Sequence, residues 1–180
     1  MKVYKLPNFE VIGNVWFISD PHFFHEKIIE YADRPFKDVR EMNETIIRNI
    51  NDKVKEGDTL FCLGDVGFGS NTRLKKLISK INGKKILIRG NHDRSHETML
   101  NVGFGISVPN LMWREFYMIH NAHRVGDNLF NKSMKIVLSG HSHSKLKYNF
   151  TSSGRRVINL SLDAWDFKPV SMQEILDCNI

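Results

Sequence analysis

A chain of 180 residues and 20.9 kDa matches one ordinary domain, since domains run to about 100–200 residues, and it is expected to fold as a single unit over 1–180. With 41% hydrophobic and 26% charged residues, the composition is that of a soluble globular protein and excludes collagen-like, low-complexity and disordered classes. The net charge of +6 favours a polyanionic partner such as a nucleotide or nucleic acid, and no apolar run approaches the length of a membrane span.

In chain order, Lys2–Ile12 is expected to form a short strand or hairpin, and its start, Met1-Lys2-Val3-Tyr4-Lys5-Leu6-Pro7, has no apolar signal core. A buried strand, Val15-Trp16-Phe17-Ile18, leads to a helix over His25–Tyr31 with Ile28 and Ile29 turned inward. Asp38 is placed to N-cap the next helix, with Glu41 as its capping-box partner. Val39, Met42, Ile46, Ile50 and Val54 follow at helical spacing, and Gly57 is expected to end the element in a left-handed conformation. The strand Leu60-Phe61-Cys62-Leu63 comes next, then an amphipathic helix over Asn71–Ile81 stopped at Asn82-Gly83, then the strand Ile86-Leu87-Ile88. On that helix Lys75, Lys76 and Lys80 form a solvated face opposite Leu74, Leu77, Ile78 and Ile81.

Strands alternating with helices predict a parallel sheet with right-handed crossovers. Beyond Asn101 the helical signal fades. Ser107-Val108, Met112–Ile119, Met134–Leu138, Leu146–Phe150 and Arg156–Leu162 are expected to be mostly strands, and a short helix follows at Ser171–Leu176. The pattern predicts a second sheet packed on the first, with helices outside. Cys62 lies inside an apolar strand, and Cys62 and Cys178 make no disulfide framework, which fits a reducing cytoplasm.

Five of the apolar runs end in residues that bind metals: Asp20-Pro21-His22, Gly64-Asp65, Gly90-Asn91-His92-Asp93, His120 and Gly140-His141-Ser142-His143. In open α/β sheets the ligand crevice lies outside the carboxyl ends of the strands, so a polar cluster recurring at that position converges on one site. Asp, Asn and His offer the oxygens and imidazole nitrogens that hard-to-borderline divalent cations accept. They are too many for one ion, and the set predicts a two-metal hydrolytic centre. With no thiolate among the ligands, Mn is the expected metal, with Fe, Zn or Ni as alternatives.

The ordered set Asp20-x-His22, Gly64-Asp65, Gly90-Asn91-His92-Asp93, His120 and Gly140-His141-x-His143 resembles the calcineurin-like metallophosphoesterase superfamily. Asp20-Pro21-His22-Phe23-Phe24-His25, Arg34-Pro35-Phe36 and Asp163-Ala164-Trp165-x-x-Lys168-Pro169-Val170-Ser171 are similar to its small, cap-less members from bacteria and phages. The resemblance implies a four-layer α/β/β/α sandwich. By position it implies that Asp20, His22 and His143 hold a first metal, that Asn91, His120 and His141 hold a second, and that Asp65 bridges the two. It also implies a hydroxide nucleophile between the metals, with His92 as general acid and Asp93 orienting it. Arg34 and Arg94 are candidate phosphate contacts, since guanidinium groups match phosphate oxygens in pairs, and Asn91 and His92 are expected to touch the substrate as well.

The chain departs from the family pattern in Met118-Ile119-His120-Asn121-Ala122-His123, which lacks the usual proline, so His123 competes with His120 as a ligand; His120 is preferred because it directly ends the apolar run. No proline follows His143 either, which bears on the loop carrying Lys145 and Lys147. The expected activity is metal-dependent hydrolysis of a nucleotide-like phosphodiester. A phosphomonoesterase, a nuclease and a non-catalytic scaffold on the same fold are the alternatives. Against a nuclease, the sequence shows no helix-turn-helix and no interleaved aromatic and basic stripe.

Overall fold

The apolar runs pack as strands with both faces covered. The computed structural model describes residues 3–5, 11–124, 136–150 and 156–178. The first part of the chain contains β1 (Val15–Ile18), α1 (Ile28–Tyr31), α2 (Val39–Lys53), β2 (Thr59–Cys62), α3 (Asn71–Ile78), β3 (Lys84–Ile88), α4 (His96–Val102) and β4 (Ile106–Val108). The second contains β5 (Asn110–Trp113), β6 (Phe116–Ile119), β7 (Ile136–Ser139), β8 (Tyr148–Phe150), β9 (Arg156–Asn159), β10 (Val170–Ser171) and α5 (Met172–Asp177).

Two sheets result, ordered β10-β1-β2-β3-β4 and β5-β6-β7-β9-β8. Within them β1 to β4 run parallel, as do β6, β7 and β9, while β10, β5 and β8 are antiparallel additions at the edges. Alternation along each strand sorts side chains into layers. Ile18, Leu60, Cys62 and Leu87 face the helices with Met42, Ile46, Ile50, Leu74 and Met99. Phe17, Phe61, Leu63, Ile86 and Ile88 face the second sheet, meeting Leu111, Phe116, Met118, Leu138 and Ile158. Burial on both faces is what makes parallel strands read as continuous apolar runs. The far face of the second sheet, with Tyr117, Ile119 and Val137, is covered among the described residues by Val3, Met112 and Ala122 of the short 3-10 turn Ala122–Arg124.

Local chemistry sets the helix ends, with some differences from expectation. Asp38 does cap α2 by accepting from the Glu41 N–H at 2.8 Å, but Glu41 returns its bond to the Lys37 N–H, one residue before the cap. Gly57 is not a left-handed terminator: α2 stops at Lys53 because Val54 turns extended, and Gly57 lies beyond in a turn with ordinary φ. α3 ends at Ile78, and the chain reaches Gly83, at φ +82°, through non-helical turns that keep Ile81 buried. The helix expected over His25–Tyr31 contracts to the single turn α1. The strand or hairpin expected over Lys2–Ile12 shows a parallel bridge from Lys5 to Met112, and its middle lies outside the described residues, as does Met134. Leu162 belongs to a 3-10 turn, not to β9.

Register then positions the site. Ile18, Cys62 and Leu87 lie level across the first sheet, and Met118 and Leu138 across the second. The two sheets touch at their carboxyl ends, where Ser19 bridges Ser161 and the Leu162 N–H donates to the Ser19 carbonyl at 3.0 Å.

Candidate metal centre

Three of the five motifs leave their strands by a sharp turn. Asp20, His22, Asp65, His141 and His143 all have positive φ, between 48° and 72°. Asp, Asn and His are the types that tolerate this region best, and strained backbone persists where surrounding structure over-determines it, commonly at functional sites. Glycines let the loops touch. A Cβ on Gly90 would come within 2.1 Å of Asp65 Oδ1, and one on Gly140 within 1.9 Å of Ser19 Oγ.

Two carboxylates share one design. Asp20 Oδ2 accepts from the His141 N–H at 2.9 Å, and Asp65 Oδ1 accepts from the His92 N–H at 2.9 Å. Each therefore ties down a neighbouring ligand loop with one oxygen and turns the other inward. Asp65 Oδ2 lies 3.7 Å from His22 Nε2 and 3.3 Å from His120 Nε2. Asp20 Oδ1 lies 3.9 Å from His143 Nε2 and 4.0 Å from His22 Nε2. Fully buried, it has no hydrogen-bond partner among the described residues.

The Nε2 atoms of His22, His120 and His143 face the same space. His120 donates from Nδ1 to the Leu63 carbonyl at 2.6 Å, leaving Nε2 facing Asn91 Oδ1 at 3.2 Å. His22 Nε2 and His143 Nε2 face each other at 3.2 Å. Burial, reinforced by the nearby His143, holds His22 down to about 3, so its imidazole is neutral. Burial pushes the Asp20 carboxyl above its usual range, whereas Asp65 is held at about 2, the hydrogen bond and charge of His120 outweighing its burial. Burial opposes a charge on His120, but its bond to Asp65 and the charge of Asp20 raise it to about 9.

These residues fit divalent cations. Ligand atoms each about 2.0–2.2 Å from one ion lie about 3–4.4 Å apart. Asp20, His22 and His143 form one group and Asp65, His120 and His141 another, with ligand atoms in each within 4.8 Å of one another. An orphaned buried carboxylate oxygen among imidazole nitrogens is costly without a cation to meet it. Asn91 adds a neutral oxygen beside the second group, and Asp65 faces both. His123, in contrast, is exposed and lies outside both groups.

The remaining site candidates take different places. His92 is exposed at the rim, its ring 6.0 Å from that of His22 and 5.6 Å from that of Phe68. Asp93 does not orient it: Asp93 Oδ2 accepts from the Asp65 and Gly90 N–H groups and Oδ1 from the Val66 N–H, so this carboxylate clamps the second motif to the third. Arg34 is not a phosphate contact. It is buried, held by both oxygens of Asp163 at 2.9 Å, and donates also to the Asp20 and Pro21 carbonyls. Arg94 donates to the carbonyls of Gly67 and Gly69. His25 does reach the crevice, with Nδ1 3.4 Å from His22 Nδ1. Lys145 pairs with exposed Asp33, and Lys147 lies over the Trp165 ring at 4.3 Å.

Asp163 had no role in the sequence reading beyond its place in a matching stretch. It accepts from His143 Nδ1 at 3.0 Å and from Ser161 Oγ at 2.8 Å while holding Arg34. Burial opposes its charge, but His143 and Arg34 hold it well below the usual carboxylate range.

Two sheets carry at their carboxyl ends two groups of Asp and His side chains that could each hold a metal ion. The calcineurin-like phosphoesterase superfamily domain matches residues 14–161, and the chain belongs to that family. It is 33% identical to the Uncharacterized protein MJ1445 of Methanocaldococcus jannaschii over 167 residues, 90% of this chain and 89% of that one. It is 28% identical over 200 residues to the Gene 66 protein of Mycobacterium phage L5, covering 92% and 94% of the two chains. The crystal structure of the Protein of Unknown Function AQ665 from Aquifex aeolicus shares the fold with a TM-score of 0.67 at 23% identity, over 92% of this chain and 98% of that one. Family and site together make the protein a phosphoester hydrolase with candidate sites for divalent metals. No helix among the described residues is long and apolar enough to cross a membrane.

Proposed function

We propose that the protein is a phosphodiesterase that hydrolyses nucleotide-like phosphodiesters with two divalent cations, Mn²⁺ first among them. The observation that carries this reading is Asp65 Oδ2, placed between His22 Nε2 and His120 Nε2 at 3.7 and 3.3 Å. Asp20, His22 and His143 would hold one cation, Asn91, His120 and His141 the other, and Asp65 both. When bound, such a pair supplies Lewis acidity towards the phosphate and acidifies water near neutral pH.

The chain's own residues do the rest. Asn91 contributes an uncharged oxygen, so the ligands leave positive charge for the phosphate. His92, exposed at the rim, donates a proton to the leaving oxygen, a contribution of about 10²–10⁴-fold. Asp93 and Asp163 keep the ligand loops in place through the bonds described above. A nucleoside is supported by the aromatic surface beside His92, where Phe68 lies 4.4 Å from the His25 ring and His25 lies 6.3 Å from exposed Tyr31. Planar bases stack on such rings. The cytoplasm suits this chemistry, in keeping with the free thiols Cys62 and Cys178.

A hydrolysis screen with Mn²⁺ over monoesters, diesters, cyclic nucleotides and oligonucleotides tests the reading. Diester turnover above monoester turnover is expected. Monoester turnover alone would make the protein a phosphatase, and none in any metal would favour a scaffold.

A further inference from the structure

We propose that Arg89 binds a second anionic group of the substrate, so that preferred esters carry a further phosphate near the scissile one. The proposal rests on the phosphoesterase reading above and names the substrate class more closely. A cavity of about 200 Å³ adjoins the second metal position and is lined by Asn91 and His120 together with Arg89, Asn121, Pro109 and Ile119. Pockets for drug-sized ligands run to about 300–1,000 Å³, so this one takes a single group and its linking atoms rather than a second nucleotide.

Arg89 brings the charged guanidinium to this cavity. Its backbone N–H is tied to the Val108 carbonyl at 2.8 Å, which fixes the residue at the end of β3. Its side-chain Nε is buried with no hydrogen-bond partner among the described residues. The two other arginines of these loops are committed: Arg34 to Asp163, and Arg94 to the Gly67 and Gly69 carbonyls. A buried donor left unpaired is unfavourable, and a guanidinium is the group best matched to a phosphate, through paired, charge-assisted hydrogen bonds. Pro109 and Ile119 give the cavity an apolar wall that limits competition from water.

The test is calorimetric titration of the Mn²⁺-loaded protein with thymidine 5′-monophosphate and thymidine 3′,5′-bisphosphate. The bisphosphate is expected to bind roughly 10–100-fold tighter to the wild type, the range of one charge-assisted contact. In Arg89→Gln that gap should fall to near unity, while Arg89→Lys, which keeps the charge, retains part of it. The same gap in wild type and Arg89→Gln would overturn the proposal, as would no gap in the wild type. Turnover of the p-nitrophenyl 5′-ester of each nucleotide separates the two readings. No hydrolysis with an Arg89-dependent gap intact would remove the phosphodiesterase and keep the anion site. Hydrolysis of both esters with a preference unaffected by Arg89→Gln would do the reverse.

Discussion

Asp163 accepts from His143 Nδ1 at 3.0 Å while both its oxygens hold the buried guanidinium of Arg34 at 2.9 Å. The link fixes His143 with Nε2 inward, and carboxylate partners of ligand imidazoles raise metal affinity by about 10–100-fold. Asp163→Asn is therefore expected to weaken the first metal site by that factor, read by competition with a chelating dye. Asp163→Ala leaves Arg34 as an unpaired buried charge and should cost about 3–5 kcal/mol, read by urea unfolding. Full stability in Asp163→Ala would mean that Arg34 finds another partner.

His120 and His123 can be separated directly. His120 is buried with Nε2 at the Asp65 carboxylate, and His123 is exposed. His120→Ala is expected to empty the second metal position, whereas His123→Ala should leave metal content unchanged. Metal analysis of the purified variants reads both, and the opposite pattern would place the ligand at His123.

The acid role proposed for His92 predicts a dependence on the leaving group. His92→Ala should lower turnover of nucleoside diesters by about 10²–10⁴-fold while retaining metal. With a nitrophenolate leaving group, stable as an anion, the loss should be much smaller. Equal losses would make His92 a phosphate-positioning residue instead.

Acid stability should depend on Asp58, far from the metal centre. Its burial opposes the charge, but the Lys55 and Asn14 N–H groups and the Trp16 indole, at 2.9, 2.8 and 3.1 Å, hold its pKa below the usual value. A depressed folded pKa contributes stability that is present above the unfolded value of about 3.9 and lost as pH falls through the folded one. Asp58→Ala should cost about 1–3 kcal/mol at pH 7, and the difference from wild type should shrink towards about pH 3. Urea midpoints across that range check it, and a difference independent of pH would contradict the assignment.

The strands and the gathering of Asp and His at their ends were legible because one rule governs both. Leu60–Leu63 is buried on both faces and so forms an unbroken apolar run, and the residue where such a run ends marks the crevice. The Arg34–Asp163 pair is not legible in the sequence, because the partners lie 129 residues apart and no local pattern reveals the pairing. The backbone partners of Asp93 are equally hidden, because adjacency to His92 says nothing about which N–H groups converge on a carboxylate after folding. Gly57 shows the same limit at a helix end, where Val54 had already left the helical conformation.

Metal stoichiometry tests the proposed binuclear centre most directly. Asp20, His22 and His143 on one side and Asp65, His120 and His141 on the other require about two ions per chain after reconstitution in saturating Mn²⁺, with hydrolysis abolished by chelator and restored by Mn²⁺. One ion per chain at saturation would contradict the bridging role proposed for Asp65.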